Sequence, residues 1–518
     1  MAESSSATAI IVSSILGDTE GTLEGSASGQ WIPVVQCDAR FSVESFERVI
    51  TNLIRHPELT SGLILRADIL SDDTFELSDE QSHETESIIQ ENPRHMAPLV
   101  PGYELFRRIR RRLVPKVPRR DPELEQDCSL LQRSGRPDDV VVLMVPLLKD
   151  GERVPHYHPD VAAIAFRYIP ASDNESAEKL DAEGRLRLEI IASLGSENTA
   201  LDTDSRLFKT CKVLLTTAAK HSQGLHNGYA KRMHHDTVVP REIYQDLYQI
   251  MKEKYKHLKN EWAESTDPTK NVFEDIAIAT FLILLWKDIY EARESNEERR
   301  CGQPPGGFID MGCGAGLLVH ILRSEGYEGI GIDVRARKSW KYYPEQTQKH
   351  LFAFTLDPLE PTFPSSDIFK PGCFLIGNHA DELSPWLPVI ASLVENAAYM
   401  SIPCCSWALD SRFYRSDPQL YPPLGASLME AESQLENRFG PSRVSVYRAY
   451  LCWLMALSKE CGFESEIEAL RIPSTRNWAI IGRNKIGSVD GREKAKEILA
   501  VVGERKLFKA REGTSSHS

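Results

Sequence analysis

The stretch Phe308-Ile-Asp-Met-Gly-Cys-Gly-Ala-Gly-Leu-Leu-Val-His-Ile-Leu-Arg323 decides the fold of this chain. It predicts a short buried strand, a turn with glycines at 312, 314 and 316, and a helix that Gly326 ends. A second apolar strand, Glu328-Gly-Ile-Gly-Ile-Asp-Val334, follows. Because glycine has no Cβ, the turn can bring bare backbone N–H groups against a ligand. The sequence therefore predicts a strand–turn–helix–strand unit with a cofactor site at its turn.

The acids around the turn favour S-adenosylmethionine as the cofactor. Asp310 precedes the first glycine, and Asp333 ends the second strand, where an acid can accept both ribose hydroxyls. NAD sites have the spacing Gly-x-Gly-x-x-Gly, but Leu317 stands at the place of that last glycine. NAD brings a pyrophosphate, whereas S-adenosylmethionine brings an ammonium group that Asp310 can help to hold. An NAD-linked oxidoreductase stays open as the less favoured alternative.

The chain after the turn predicts an α/β sheet of about seven strands. Cys373-Phe-Leu-Ile-Gly-Asn-His-Ala-Asp-Glu-Leu383 is an apolar strand that ends in polar residues. Doubly wound sheets bind ligands at the carboxyl ends of their strands, so the polar residues here should line the same crevice as the glycines: Asn378, His379, Asp381 and Glu382. Asp357 follows a short strand near residues 352–354, where an acid can meet the adenine.

Composition limits the function classes. The 518 residues suffice for two or three domains, and the net charge of −14 requires any RNA partner to be held by local basic patches. Ten cysteines without a Cys-x-x-Cys pair favour reduced thiols and no metal site. No secretory signal is recognisable, and the longest apolar run, Ile276–Trp286, falls short of the about 20 residues that span a bilayer. We expect a soluble cytoplasmic protein without a membrane role.

The N-terminal half contains a basic segment and a set of histidines. Phe106–Arg120 is rich in arginine and interrupted by prolines, so it predicts a linker that is at most partly helical. It is either a phosphate-binding patch or a solvated, localisation-type run. Four apolar stretches up to Val213–Thr217 predict a small sheet domain. The histidines at 156, 158, 221, 226, 234 and 235 lack metal-ligand spacing and are predicted to lie at the surface or to face RNA.

Two helices are predicted between this sheet and the glycine turn. The first begins at Pro240 and carries an apolar stripe that includes Ile243 and Ile250. In the second, Asn271 and Glu274 fit a capping box, and Phe273–Tyr290 is apolar on nearly every side. Such a helix must be buried, so we expect it to pack on the sheet that follows.

Several of these motifs together resemble the eukaryotic tRNA uridine 2′-O-methyltransferase family that acts at position 44 of serine tRNAs. The similarity covers residues from about 100 to 485, and its most distinctive motif is Gly-Asn-His-x-Asp-Glu-Leu. The segments that carry it are Phe273–Trp286, Asp310–His320, Gly331–Lys338, Leu375–Leu383 and Arg471–Thr475.

The resemblance implies a class I (Rossmann-like) S-adenosylmethionine-dependent methyltransferase sheet whose last strand is antiparallel, preceded by a smaller β-rich domain. It implies tRNA as substrate, and no obligate protein partner is evident. The predicted organisation is a disordered leader (1–30), an N-terminal segment with acidic and basic linkers (31–137), a β-rich domain (138–239), a helical lead-in (240–300), the methyltransferase domain (301–485) and a C-terminal tail without assigned chemistry (486–518).

The resemblance places Asp310, Gly312, Gly314, Gly316 and Asp333 in the cofactor site. We add Asn378 and Asp357 to the predicted cofactor site because each stands at the end of a predicted strand. The Lys-Asp-Lys-Glu tetrad of other 2′-O-methyltransferases is not recognisable. We hypothesise that His379 or Asp381 takes or orients the proton of the ribose 2′-OH, the alternative being that both only build the loop.

Two basic groups are candidate tRNA contacts. Arg335, Arg337 and Lys338 alternate with aromatic residues beside Asp333, and Arg412 and Arg415 form a second group. Both can instead be surface charge with buried aromatics.

Two other functions stay open. In the first, Cys404 or Cys405 is the nucleophile of a base methyltransferase, which needs a lowered thiol pKa. The second is a catalytically silent scaffold that only binds RNA.

Overall fold

The computed structural model describes residues 10–15, 22–24, 29–75, 100–149, 151–171, 182–193, 202–228, 235–290, 302–360, 363–364, 367–414, 420–421, 426–439 and 445–511. The chain divides into two compact units, Met1–Lys231 and Arg232–Ser518. Most of the predicted leader and of the acidic stretch 71–92 lies outside the described residues, as do His234 and Arg415.

The first unit is built on an eight-stranded antiparallel sheet. Its order is β1-β2-β8-β7-β6-β5-β4-β3, so the chain meanders from β3 to β8 and β2 joins the edge strand β1 to β8. The strands are β1 (Ser13–Ser14), β2 (Ile32–Ala39), β3 (Ile64–Thr74), β4 (Tyr103–Pro115), β5 (Leu124–Arg133), β6 (Arg136–Leu147), β7 (Val161–Pro170) and β8 (Gly184–Ala192).

Two helices, α1 (Val43–Arg55) and α2 (Arg206–His226), share one hydrophobic core with this sheet. Each begins at a serine, Ser42 or Ser205, whose hydroxyl accepts a backbone N–H of the first turn. The buried residues of α1 recur every three or four positions, so one stripe of the helix packs on the sheet.

The structure corrects the predicted division of this half. The described part of residues 31–137 contains β2 to β5 of the same sheet rather than a separate segment, and the boundary at 138 falls inside β6. Val213–Thr217, predicted as a strand, lies in α2, where Cys211, Leu215 and Ala218 are buried with helical spacing. The leader is not disordered throughout, since Ser13–Ser14 pairs with β2.

The basic segment is a strand rather than a linker. Its residues 106–115 lie in β4, in which Ile109, Arg111 and Leu113 alternate inward and are buried. The arginines are matched by partners on the neighbouring strands or loops: Arg107 pairs with Asp72, Arg108 with Asp127, Arg110 and Arg112 with Glu125, Arg120 with Asp121, and Arg111 donates to the Gln126 side chain.

The prediction of surface or RNA-facing histidines is wrong for His158. Its side chain is buried, its Nε2 lies 3.0 Å from Gln126 Nε2, and burial lowers its pKa to about 4. It therefore belongs to the interior of the first unit.

The second unit contains a seven-stranded sheet of order β11-β10-β9-β12-β13-β15-β14, which confirms the predicted number. Neighbours from β11 to β13 are parallel, and β15 is antiparallel to both of its neighbours. The strands are β9 (Phe308–Met311), β10 (Gly329–Asp333), β11 (Leu351–Ala353), β12 (Phe374–Asn378), β13 (Ala398–Ile402), β14 (Phe463–Ala469) and β15 (Trp478–Lys485).

Helices cover both faces of this sheet. One core joins it to α3, α4 and α5, and the other to α7 to α10. The helices are α3 (Arg241–Tyr255), α4 (Pro268–Tyr290), α5 (Leu317–Ser324), α6 (Glu345–Gln348), α7 (Trp386–Leu393), α8 (Ala426–Phe439), α9 (Val446–Glu460) and α10 (Gly491–Arg505). None of the helices in the described residues is long and apolar enough to cross a membrane.

Helix α4 packs on the sheet as predicted, but it begins earlier. Trp286 is fully buried and stacks on Phe308 with ring centroids 5.7 Å apart. The predicted capping box of Asn271 and Glu274 is wrong, because the Asp267 carboxylate accepts Thr269 N at 2.9 Å one turn earlier and Pro268 takes the first helical position. Glu274 therefore does not cap the helix, and its side chain is available for another contact. In α3, Ile243 and Ile250 of the predicted stripe are exposed.

We predict that Arg108→Ala destabilises the protein by about 3–5 kcal/mol, because it leaves Asp127, whose side chain is fully buried, without a counter-charge. Arg110→Ala is the matched control on the same strand. Its pair with Glu125 is exposed, so its loss should cost less than about 1 kcal/mol. Chemical denaturation followed by circular dichroism measures both. Equal losses would contradict the buried-pair interpretation.

Candidate active site

A cavity of about 430 Å³ lies at the carboxyl ends of three neighbouring strands. Gly312 follows β9, Asp333 ends β10 and Asn378 ends β12, and all three residues line the cavity. Strands β10 and β12 flank β9 on opposite sides, so this is the switch point of the sheet, where open α/β sheets bind their ligands.

The glycine turn is held in a left-handed conformation by contacts from β10 and the loop after it. The φ angles of Gly312, Gly314 and Gly316 are 78°, 52° and 72°, which favours glycine at each position. Gly314 N donates to Asp333 Oδ2 at 2.9 Å, and Trp340 Nε1 donates to Gly314 O at 2.9 Å. Trp340 is therefore a buried support of the turn rather than an RNA-facing aromatic residue.

A cluster of buried carboxyl groups lies under the turn. Asp310 is almost fully buried, its Oδ1 has no hydrogen-bond partner, and burial together with Asp275 and Asp333 raises its pKa well above the usual range. Burial and the neighbouring Glu274 raise the pKa of Asp275 to about 7. A cationic ligand would relieve this repulsion and engage the free oxygen, so these residues fit a sulfonium and an ammonium group.

The predicted cofactor residues occupy different places around this cavity. Gly312, Gly314, Asp333 and Asn378 line it, Asp310 lies buried behind them, and Gly316 is the N-cap of α5. Asp357 is not among the lining residues, and its Oδ1 accepts Leu359 N at 2.9 Å, so it caps a turn. Leu356 lines the cavity near it.

The loop after β12 carries both predicted catalytic residues into the cavity. His379 and Asp381 line it, with φ angles of 53° and 46°, a left-handed conformation that is uncommon for residues other than glycine. Such backbone strain is concentrated at functional sites. His379 Nε2 lies 3.0 Å from Glu274 Oε1, and Asn378 Nδ2 donates to Asp275 Oδ1 at 3.2 Å.

Glu274 and Asp275 are site residues that the sequence interpretation missed. Both lie on α4, whose predicted roles were helix capping by Glu274 and packing on the sheet, and both line the cavity. The available signal was a pair of adjacent acids inside a helix that is otherwise apolar over more than three turns. Acids so placed need a polar partner, and here the partners are His379 and Asn378.

The second polar contact of this loop involves two thiols. Cys404 Sγ donates to Asp381 Oδ1 at 3.2 Å and lies 3.5 Å from Cys405 Sγ. Burial and Asp381 raise the pKa of both thiols, which disfavours the thiolate that a base methyltransferase needs. Among the described residues, Asp381, Cys404 and Cys405 are the group whose spacing could hold a metal ion.

The predicted basic contacts are divided between the cavity and the surface. Arg337 lines the cavity, and its Nη2 lies 3.5 Å from Asp333 Oδ1. Arg335 N donates to the same oxygen at 3.3 Å, and Lys338 begins a short 3-10 helix. Arg412 stacks over the Trp407 ring at 3.9 Å.

The C-terminal tail also reaches the cavity. Phe508, Lys509 and Arg511 line it, although the sequence interpretation assigned this segment no chemistry. Its composition gave no signal, because a single arginine near a chain end is ordinary surface sequence.

We predict that Gly314→Ala weakens S-adenosylmethionine binding more than it weakens the fold. An added Cβ meets no protein atom within 4 Å, so it would occupy the cavity, at a cost of about 1–2 kcal/mol for the left-handed backbone. Gly316→Ala is the control with the same backbone cost. There the Cβ meets Leu351 at 3.0 Å, so stability should fall further. Calorimetric titration and thermal unfolding separate the effects, and parental cofactor affinity in Gly314→Ala would refute the assignment.

The chain matches two family models that fall on either side of the division between its two compact units. Residues 11–232 match the model described as "TRM44-like, N-terminal bet v1-like domain". Residues 238–358 match the one described as "Predicted AdoMet-dependent methyltransferase". No solved structure is significantly similar to the chain.

Curated relatives match the chain over nearly its whole length. A tRNA (uracil-O(2)-)-methyltransferase of Schizosaccharomyces pombe is 37% identical over 89% of this chain and 87% of its own. The proteins of the same name from Neurospora crassa and Eremothecium gossypii are 35% and 34% identical, and each match covers 88% or more of either chain. With this identity and coverage, the chain belongs to the tRNA (uracil-O(2)-)-methyltransferase family.

Proposed function

We propose that this protein transfers a methyl group from S-adenosylmethionine to the ribose 2′-oxygen of a uridine in tRNA, and that the uridine is position 44 of serine tRNAs. The carrying observation is that His379, paired with Glu274, lines the same cavity as Gly314 and Asp333. The loop that carries the candidate base His379 and the glycine turn therefore line one cavity at the switch point of the sheet.

The topology supports a class I, Rossmann-like assignment of the second unit. Five parallel strands are followed by a hairpin, and β15, the last strand along the chain, is antiparallel to its neighbours, as the resemblance implies. Helices lie on both faces, as in a doubly wound sheet. The first unit is then the smaller, β-rich domain of the family.

The cavity residues suit this reaction in two ways. When bound, S-adenosylmethionine supplies an electrophilic methyl group that needs the attacking oxygen in line with the S–CH₃ bond. A cationic methyl donor would favour the ionised forms of Asp310 and Asp275, whose pKa values are raised in its absence, so these acids favour its binding. His379 is oriented by Glu274 so that a ring nitrogen can accept the proton of the 2′-OH, and Asp381 lies two residues further along the same loop.

The two other functions are less well supported. A covalent base methyltransferase needs an ionised thiol, but the surroundings of Cys404 and Cys405 favour the protonated form. A silent RNA-binding scaffold has no use for the buried carboxyl groups of Glu274, Asp310 and Asp333, which are costly to keep in the fold.

The function is tested by incubating the purified protein with labelled S-adenosylmethionine and tRNA from cells that lack it. We expect 2′-O-methyluridine, found as a nuclease-resistant dinucleotide that maps to position 44 of serine tRNA. A base-methylated uridine would show that the assigned acceptor atom is wrong, and cofactor binding without any transfer would favour the scaffold.

We predict that His379→Asn lowers kcat about 100-fold or more, because it removes the group that accepts the 2′-OH proton. Asparagine tolerates the left-handed backbone at this position, so the loop should keep its conformation. Glu274→Gln should have a smaller effect, since it removes only the orienting charge. Single-turnover rates and the Kd for S-adenosylmethionine are the readouts. If His379→Asn and Asp381→Ala both methylate tRNA at the parental rate, neither residue is the base.

A further inference from the structure

The segment Leu507–Arg511 follows helix α10 and contributes Phe508, Lys509 and Arg511 to the lining of the cavity. Helix α10 ends where Lys506 adopts a left-handed φ of 54°, which turns the chain away from the helix axis. Before this turn Arg505 Nε lies 3.1 Å from Asp410 Oδ2. After it Phe508 packs edge-on against the fully buried Trp386, with ring centroids 5.3 Å apart. These contacts bring the last described residues into the cavity.

Arg511 reaches the polar loop that follows β12. Its Nε lies 3.1 Å from Glu382 Oε1, and its Nη1 lies 3.8 Å from Asp381 Oδ2. The side chain is 60% exposed, so the ion pair is weak and the remaining N–H donors of the guanidinium face solvent. Arg511 is therefore beside the predicted catalytic loop and accessible to a substrate.

The charge of the cavity shows what such a cation can do. Glu264, Glu274, Asp275, Asp333, Asp381 and Glu382 line it, against Arg337, Lys509 and Arg511. An acidic cavity attracts a cationic methyl donor but repels the phosphates of an RNA strand. Arg337 pairs with Asp333, beside the glycine turn, whereas Arg511 lies against Asp381 and Glu382.

We propose that Leu507–Arg511 is part of the RNA-binding site and that Arg511 positions the substrate by binding the backbone phosphate beside the target ribose. The proposal rests on the proposed tRNA methyltransferase function. On RNA binding, the guanidinium exchanges the Glu382 carboxylate for a phosphate, with which its planar fork can make two parallel hydrogen bonds. Before RNA binds, the exposed ion pair with Glu382 holds the Arg511 guanidinium near the orientation in which it would bind the phosphate.

The test compares Arg511→Ala and Arg511→Lys with Lys496→Ala in the full chain. Lys496 on α10 is also exposed and paired with a glutamate, Glu493, but it does not line the cavity, so it controls for the loss of one charge. For Arg511→Ala we expect the Kd and KM for tRNA to rise about tenfold, and the slope of log K against log salt to fall by about one. The Kd for S-adenosylmethionine should change less than twofold, and lysine should restore part of the tRNA affinity.

The outcomes separate this proposal from the function on which it rests. Formation of 2′-O-methyluridine by the parent protein tests the function alone. If the parent is active and Arg511→Ala matches Lys496→Ala in tRNA affinity and salt slope, Arg511 does not bind phosphate. A parallel loss of cofactor affinity would assign Arg511 a structural or cofactor role, and faster turnover at unchanged tRNA affinity would make the tail an inhibitory strap. Each of these three results overturns the proposal.

Discussion

In the second unit, folding brings carboxyl groups close together, and the fold itself does not relieve the repulsion between them. Asp275, Asp310 and Asp333 come from a helix and two strands, and their carboxyl groups are close enough to raise the pKa of Asp310. Folding brings them together, and protonation or a bound cation lowers the cost. A ligand that binds only the folded state adds to stability by mass action, so the methyl donor should also act as a stabilising ligand of this unit.

Acids on the helix before the sheet also contact the loop that carries His379 and Asp381 into the cavity. Glu274 and Asp275 contact His379 and Asn378, more than one hundred residues further along the chain. The loop keeps two left-handed residues because these contacts, together with those of Asp381, over-determine its conformation. The lead-in helix thus lines the candidate active site and is not a packing element alone.

The sequence was sufficient for the features that local chemistry controls. The glycine turn, the acid that ends β10 and the polar end of β12 were predicted because glycine spacing and strand polarity need no distant partner. Strand β4 was misassigned because a run of arginines indicates a solvated linker until acids on β3 and β5 are brought beside it. Glu274 contacts His379 and Arg511 contacts Glu382, each more than one hundred residues away along the chain, so the local sequence could mark Glu274 as an unusual acid but could not identify either contact.

Strand β4 also limits how this family can change its sequence. Asp127 is fully buried, and Arg108 is its ionic partner. Loss of Arg108 alone leaves the buried Asp127 carboxylate without its ionic partner, whereas replacing both residues by apolar residues of similar volume can be nearly neutral. Evolution can therefore replace this pair only through a less stable single variant or through two nearly simultaneous substitutions. The two positions should consequently vary together among the relatives, while the exposed Arg110 and Glu125 drift independently.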